Sequence, residues 1–94
     1  MLPGFEMVNW RLVFTKQALK DAKKIRTSGL KSRVEKLLGV LQADPFRSPP
    51  GFEKLVGDLS GAYSRRISIR HRLVYQVLKE IRTVKIIRMW THYE

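Results

Sequence analysis

The chain has 94 residues and a mass of 11.0 kDa, which suffices for one domain with a modest hydrophobic core but not for two. Hydrophobic residues make up 44% of it, which argues against disorder, and the lack of cysteine excludes disulfides, thiolate metal sites and a cysteine nucleophile. The formal net charge of +11 favours a polyanionic partner: nucleic acid first, an acidic protein second, an anionic membrane surface third.

The N-terminal segment, residues 1 to 6, contains proline and glycine and lacks the positive start and apolar run of a signal peptide. We expect it to be a loose lead-in to a single domain that spans residues 1–94, with either Met1 or Met7 as the true start. No stretch approaches the about 20 apolar residues of a membrane helix. The sequence therefore predicts a cytoplasmic protein with no membrane association.

A strand followed by two helices is predicted for the first half. Apolar residues alternate from Val8 to Phe14, which indicates a strand, and Thr15 then provides a helix N-cap. Apolar residues at helical spacing predict a basic amphipathic helix to about Arg26. After a break at residues 28 and 29, a second amphipathic helix runs from Leu30 until Asp44-Pro45 ends it, so the two helices form a hairpin.

The second half is predicted to be mostly β. Residues 45–52 hold three of the four prolines and must form a loop, from which Glu53 and a short segment to residue 59 emerge. Three β segments follow at 63–69, 73–78 and 83–91, connected as sequential hairpins. The last is apolar on both faces and is therefore expected inside the sheet. The order βααβββ predicts an α+β domain with the helical hairpin on one face of a twisted, mostly antiparallel sheet.

Three sequence features could belong to a catalytic site, although each also has an ordinary structural explanation. The arginines at 65, 66, 70 and 72 could be a solvated strand face, Glu53 a surface carboxylate beside Lys54, and His92-Tyr93 the end of an edge strand. His71 lies at a predicted turn, where a structural or solvent-facing role is expected. In combination, the three features favour a catalytic role. Metal-free RNA cleavage needs a base, phosphate-binding cations and an acid, which Glu, Arg and His supply.

Other enzyme classes fit less well. The sequence has no His-x-x-x-His, no cysteine pair and no acidic cluster for a metal, so no metal or other cofactor is expected. It also lacks nucleotide-binding glycine loops and the Gly-x-Ser-x-Gly pattern of serine hydrolases.

The segment Leu59-Ser-Gly-Ala-Tyr-Ser-Arg-Arg-Ile-Ser-Ile-Arg-His-Arg-Leu-Val-Tyr75 closely resembles the YoeB (Txe) family of the RelE toxin superfamily. The Asp44-Pro45-Phe46 turn, the loop end Phe52-Glu53-Lys54-Leu55 and the closing Thr91-His92-Tyr93 extend the resemblance over the chain from Val8 onward. It implies a compact toxin that cleaves mRNA in the ribosomal A site without a metal. It also implies an acidic antitoxin of the YefM (Phd-like) type and leaves a homodimer open.

The resemblance also implies site residues. Glu53 matches the family's general base, Arg72 its phosphate-stabilising arginine and His92 its general acid. Tyr93 matches a terminal aromatic that orients substrate, and Arg66 matches a second arginine at the site. From the charge pattern we add six residues expected to contact RNA, the first four of which form a stripe facing rRNA phosphates: Lys16, Lys20, Lys23, Lys24, Lys54 and Arg65.

The chain departs from the family pattern at three places. Val56 stands where a basic residue often follows the loop glutamate, and Ala62-Tyr63 replaces an aromatic pair. Glu94 extends one residue past the usual terminal tyrosine and would bring a carboxylate near His92.

Two other functions remain open at the level of the sequence. One is a ParE-like inhibitor of DNA gyrase on the same fold, although those relatives lack the catalytic group. The other is a basic RNA-binding or ribosome-binding module without catalytic activity, which the composition permits equally well.

Overall fold

The computed structural model describes residues 10–57 and 61–92, and at 91 and 92 it describes the backbone alone. Within these residues two helices and five strands follow in the order β1, α1, α2, β2, β3, β4, β5. A 3-10 turn, Lys79–Ile81, connects β4 to β5. The element bounds are β1 Arg11–Phe14, α1 Lys16–Arg26, α2 Lys31–Ala43, β2 Glu53–Lys54, β3 Ala62–Arg66, β4 His71–Leu78 and β5 Thr83–His92.

The helical hairpin forms as the sequence predicts. The Thr15 hydroxyl accepts a hydrogen bond from the Ala18 backbone N–H at 3.0 Å, which confirms the predicted N-cap of α1. Gly29, with a φ of +84°, makes the turn between the helices in a backbone conformation that disfavours other residues. Neither helix in the described ranges has the length and apolar character that crossing a membrane requires.

The sheet has the strand order β1-β5-β4-β3-β2. Its neighbours pair antiparallel except β1 and β5, which are parallel, so the predicted α+β fold with sequential hairpins is confirmed. As predicted, β5 lies inside the sheet, between β1 and β4. The short strand β2 was not predicted, because its two residues, Glu53 and Lys54, are too few to show an alternating pattern.

Two predicted strand boundaries differ from the structure. The β segment predicted at 63–69 ends at Arg66, because the backbone N–H groups of Ile67 and Ser68 both donate to the His71 carbonyl and close a turn there. The next strand therefore begins at His71, two residues earlier than predicted. The start of the first predicted strand, at Val8, and the expected lead-in of residues 1–6 lie outside the described residues.

The core lies between the helices and one face of the sheet. Buried side chains from α1 and α2 meet Leu73 and Tyr75 of β4 and Ile86 of β5. Because side chains alternate along a strand, the neighbours Arg72 and Val74 lie on the opposite face of β4. That face, which we call the open face, carries a small apolar cluster of Leu55, Ala62, Val74 and Ile87 among the described residues.

Candidate active site

The chain brings Glu53 and Arg72 together on the open face. Glu53 on β2 pairs with Ser64 on β3, and two residues further along β3 Arg66 pairs with Arg72 on β4. This register puts the four side chains on one face of three adjacent strands. The Arg72 Nη1 atom lies 3.4 Å from the Glu53 Oε1 atom. A candidate base and a candidate phosphate-binding cation are thus in contact, although distant in sequence.

The pair borders an open cleft with a volume of about 410 Å³. Arg66 extends to the same cleft, and within the described residues its side chain makes no salt bridge or hydrogen bond. A carboxylate and two guanidinium groups at one opening suit an anionic ligand that carries an ionisable hydroxyl. The cleft is lined by Gly51, Phe52, Glu53, Ser64, Arg66 and Arg72.

Arg65 holds the Pro-rich loop that carries Glu53, and it does so from the face of β3 opposite the cleft. The guanidinium of Arg65 is buried, with 1% of the residue exposed. It donates to the carbonyls of Pro45 and Pro50, at 3.0 and 2.6 Å, and to the Tyr75 hydroxyl, at 3.0 Å. Its Cζ also lies 4.8 Å from the centre of the Phe52 ring. The residue just before Glu53 is therefore held against a buried cation.

Aromatic side chains complete this anchor. The Phe52 ring packs edge-on against Tyr63 at a centroid distance of 5.6 Å, and Phe46 packs on the same ring at 5.6 Å. Tyr63 in turn lies 5.7 Å from Tyr75. Burial raises the pKa of the Tyr75 hydroxyl, although the hydrogen bond and charge of Arg65 oppose the shift. The aromatic cluster and Arg65 hold the loop as one packed unit.

The position of Arg65 does not fit the predicted RNA contact. Adjacent residues on a strand point to opposite faces, so Arg65 points into the loop anchor while Arg66 points to the cleft. The buried guanidinium donates from all three of its nitrogens to carbonyl and hydroxyl oxygens and is closed to solvent. We therefore leave Arg65 out of the candidate RNA-binding set. The alternation of β3 was the signal that could have separated the two arginines.

The backbone of His92 lies at the same end of the sheet as the cleft. Thr91 on β5 pairs with Arg72, and His92 pairs with His71. The His92 side chain, Tyr93 and Glu94 lie outside what the structure describes. His71 is buried and stacks on Trp90 at a centroid distance of 4.0 Å. Of its two expected roles, the structural one is therefore the one observed.

Asp21, which the sequence analysis did not single out, supports the strand that leads to His92. Its buried carboxylate accepts hydrogen bonds from Arg88 Nε at 2.9 Å and from the backbone N–H groups of Met89 and Trp90 at 2.9 and 3.2 Å. These residues lie where β5 bulges against β4. Burial raises the pKa of Asp21, but these bonds and one from Gln17 outweigh burial and lower it below 3.8.

Ser64 is a second residue that the sequence analysis missed. It is fully buried beneath the cleft, and its Oγ atom has no hydrogen-bond partner among the described residues. Because buried hydroxyls are usually paired, an unpaired one at a cleft indicates a position for a ligand or water. A serine in an otherwise apolar and basic strand gave no such signal in the sequence.

The predicted basic stripe lies away from the cleft. Its four lysines are exposed on α1, which packs on the helix side of the sheet, and the cleft lies on the open face. Lys54 is exposed next to Glu53, and Val56 is 85% exposed. The fold therefore separates the stripe from the arginines that it brings together. The stripe consists of Lys16, Lys20, Lys23 and Lys24.

Known toxins have sequences similar to this chain. Toxin YoeB of Streptomyces coelicolor is 40% identical over 68 residues, covering 70% of this chain and 81% of that protein. Toxin YoeB of Mycobacterium bovis is 50% identical over 44 residues, which are 47% of this chain. That second match spans only about half of the mycobacterial toxin's length, 52%.

Solved structures agree over nearly the whole chain. A YoeB/ParE toxin from Agrobacterium tumefaciens has a TM-score of 0.80 at 28% identity, over 88% of this chain and 99% of that one. The toxin in a YoeB-YefM complex from Staphylococcus aureus has a TM-score of 0.76 at 31% identity, over 89% and 98%. The same bacterium's YoeB has also been solved as a dimer, with a TM-score of 0.75 at 31% identity, over 90% and 99%.

A family model agrees with the relatives and the solved structures. The model, described as a YoeB-like toxin of bacterial type II toxin-antitoxin system, matches residues 14–93. This match covers most of the chain, including both helices and the strands that carry Glu53, Arg66 and Arg72. The chain therefore belongs to the YoeB-like toxins of bacterial type II toxin-antitoxin systems.

Proposed function

We propose that this toxin is a ribosome-dependent endoribonuclease that cleaves mRNA in the A site without a metal ion and so stops translation. The observation that supports it most directly is the contact between Glu53 and Arg72 at a cleft that Arg66 also lines. The proposed place of action is the cytoplasm.

In the proposed reaction the RNA supplies its own nucleophile. The Glu53 carboxylate takes the proton from a ribose 2′-hydroxyl, whose oxygen then forms a bond to the adjacent phosphorus. The bond from phosphorus to the 5′-oxygen breaks, and His92 protonates that oxygen as it leaves. The products are a 2′,3′-cyclic phosphate and a 5′-hydroxyl end, so neither water nor an external cofactor enters the cleavage step.

The two arginines of the cleft stabilise the charge that develops on phosphorus. Arg72 has the forked guanidinium that binds two phosphate oxygens at once, and Arg66 can approach the same phosphate from the neighbouring strand. The Glu53 side chain is 65% exposed, so an entering phosphate can replace it as the partner of Arg72. Tyr93 then serves to orient the substrate.

The macromolecular partners follow from the charge and from the relatives. With a net charge of +11 the toxin can bind rRNA, and the exposed lysines of α1 together with Lys54 are the proposed contacts. The Staphylococcus aureus YoeB-YefM complex supports an acidic antitoxin of that kind as the second partner, which would cover Arg66 and Arg72 and neutralise their field. The dimer of that YoeB supports a homodimer.

A cleavage assay on programmed ribosomes tests the proposal. Wild type, Glu53→Gln and His92→Gln are incubated with ribosomes that carry an mRNA of known register, and the cut ends are mapped. We expect A-site cutting by wild type and its loss in both variants. Glu35→Gln is the matched control, because Glu35 is an exposed carboxylate on α2 that pairs only with Lys31 at 3.9 Å in the described structure.

Three outcomes would contradict the proposal. Equal cutting by wild type and both variants would remove the assigned residues from the reaction. Inhibition of gyrase supercoiling with intact mRNA would instead favour a ParE-like activity, and ribosome binding without any cutting would leave a non-catalytic binding module.

A further inference from the structure

A second cleft lies beside the candidate active site, and we call it the side cleft. It has a volume of about 370 Å³ and opens between α2 and the end of β3. Arg66 borders both openings, so the two clefts are neighbours that share one arginine. The side cleft is lined mainly by Arg33, Lys36, Leu37, Val40, Arg66 and Ile67.

The rim of the side cleft is positively charged. Arg33 donates to the Ile67 carbonyl at 3.3 Å, which fixes its guanidinium next to the strand that carries Arg66. Lys36 lies one turn further along α2 and makes no salt bridge or hydrogen bond within the described ranges. No acidic residue is among the lining residues. The rim therefore offers cations to an anion that enters from the candidate active site.

The floor of the side cleft is apolar. Leu37 and Ile67 are buried core residues whose surfaces reach the cleft, and Val40 lies beside them. A phosphate alone would use only the rim, whereas a nucleotide also brings a ribose and a base that can cover the floor. Single-stranded nucleic acid is bound by cations along its backbone and by side chains, usually aromatic, under its bases. In the side cleft, aliphatic side chains form the surface under the base.

We propose that the side cleft holds the nucleotide next to the scissile phosphate of a single-stranded RNA, with its phosphate on Lys36 and Arg33 and its base on the apolar floor. This inference rests on the proposed function, which puts the scissile phosphate at Arg72 and Arg66. RNA is favoured over an acidic protein segment because the same arginine serves both clefts and a strand with regularly repeated charges can follow them. The floor offers no hydrogen-bonding side chain, so all four bases should bind similarly.

The test measures binding separately from cleavage. A trinucleotide with 2′-O-methyl riboses cannot undergo attack by its own hydroxyl, so it is titrated into the toxin while methyl signals are followed by NMR. We expect the methyl groups of Leu37, Val40 and Ile67 to shift with the same saturation curve as residues around the Glu53 cleft. All-deoxy and differing base sequences should give similar shifts.

Lys36→Gln removes one proposed phosphate contact without touching the residues assigned to cleavage. We expect weaker trinucleotide binding and a slope of log affinity against log salt that is less steep by about 0.7, the value for one contact to a single strand. Arg11→Gln is the matched control, because Arg11 is an exposed cation on β1, at the opposite edge of the sheet from β2. It should leave both affinity and slope unchanged.

Three results would overturn the inference. In the first, the NMR signals of residues around the cleft at Glu53 shift, whereas those of the side-cleft methyl groups do not. In the second, no signals shift at either cleft. The third is a Lys36→Gln variant that binds the trinucleotide normally but loses affinity for an acidic peptide, which would make the side cleft a protein-binding surface. A toxin that binds RNA in both clefts but does not cut on the ribosome would contradict the proposed function and leave the side-cleft binding in place.

Discussion

Arg72 and Glu53 face each other across β3, with the guanidinium Nη1 atom 3.4 Å from the carboxylate Oε1 atom. The arginine is mostly covered, with 20% of its side chain exposed, whereas 65% of the glutamate side chain is exposed. An ion pair with one exposed partner contributes little to folding stability. Under the proposed function, the pair is a resting arrangement of two groups that a substrate phosphate would separate.

Replacing Arg72 with lysine keeps the positive charge but removes the forked guanidinium group. Because lysine cannot bind two phosphate oxygens in the same geometry, we expect Arg72→Lys to bind ribosomes normally and to cleave about 100-fold more slowly. The free energy of unfolding should change by no more than about 0.5 kcal/mol, since the ion pair is partly exposed. Single-turnover cleavage, ribosome sedimentation and urea denaturation measure the three quantities.

Arg70→Lys is the control for this variant, because Arg70 is an exposed arginine in the turn before β4. It should cleave at the wild-type rate. If Arg72→Lys also cleaved at that rate, the forked geometry of Arg72 would have no part in the reaction.

The helices and long strands were predictable because each has a repeating apolar pattern and an identifiable end. Thr15 marked the start of α1, and the apolar run of β5 indicated pairing on both sides, as observed. The two-residue strand β2 was not predictable, because only its hydrogen bonds with β3 define it. The sequence could place Glu53 at the end of a loop but could not give the register that brings it to Arg72.

The roles of buried polar residues were the least predictable part of the site. Arg65 and Arg66 are adjacent residues of the same type. They differ only in the face of β3 on which their side chains lie, so that Arg65 holds a loop and Arg66 lines a cleft. Asp21 lies among the lysines of α1, where a carboxylate looks like part of a solvated face. Its function depends on a bulge in a strand 67 residues away, which no local pattern reveals.

Asp21 should make the stability of the toxin depend on acid pH. Its pKa in the folded protein is below 3.8, so its contribution is fully present above the unfolded pKa and is lost as pH falls through the folded value. At pH 7 we expect Asp21→Asn to lower the free energy of unfolding by about 2–3 kcal/mol. An uncharged amide oxygen accepts the Arg88 hydrogen bond more weakly, and the amide NH2 group cannot accept at all. Below about pH 4 the difference from wild type should shrink.

Urea denaturation across this pH range measures the effect, with Glu35→Gln as the exposed control. A constant difference between Asp21→Asn and wild type from pH 7 down to pH 2 would contradict the assigned pKa. An Asp21→Asn variant as stable as wild type at pH 7 would mean that the bulge in β5 does not need this carboxylate.

Arg65 should matter to both stability and cleavage, because it connects the fold to the loop that carries Glu53. In Arg65→Met the carbonyls of Pro45 and Pro50 lose their buried donors, and we expect the free energy of unfolding to fall by about 2–4 kcal/mol. Amide hydrogen exchange should become faster at residues 51–54 while α1 stays protected at a temperature where the variant is folded. Uniformly faster exchange would show that Arg65 supports the whole domain and not this loop in particular.

Ser64 offers a way to separate function from stability at a single oxygen atom. Its buried Oγ has no partner within the described residues, so Ser64→Ala removes an unsatisfied polar group and should leave the free energy of unfolding unchanged or raise it by up to about 1 kcal/mol. If the hydroxyl donates to the phosphate once RNA displaces Glu53 from Arg72, cleavage should slow about tenfold, the equivalent of one hydrogen bond. Ser32→Ala, at an exposed position on α2, should change neither quantity. Unaltered cleavage by Ser64→Ala on the ribosome would show that the hydroxyl does not reach the substrate, and the cleft would then act through its carboxylate and arginines alone.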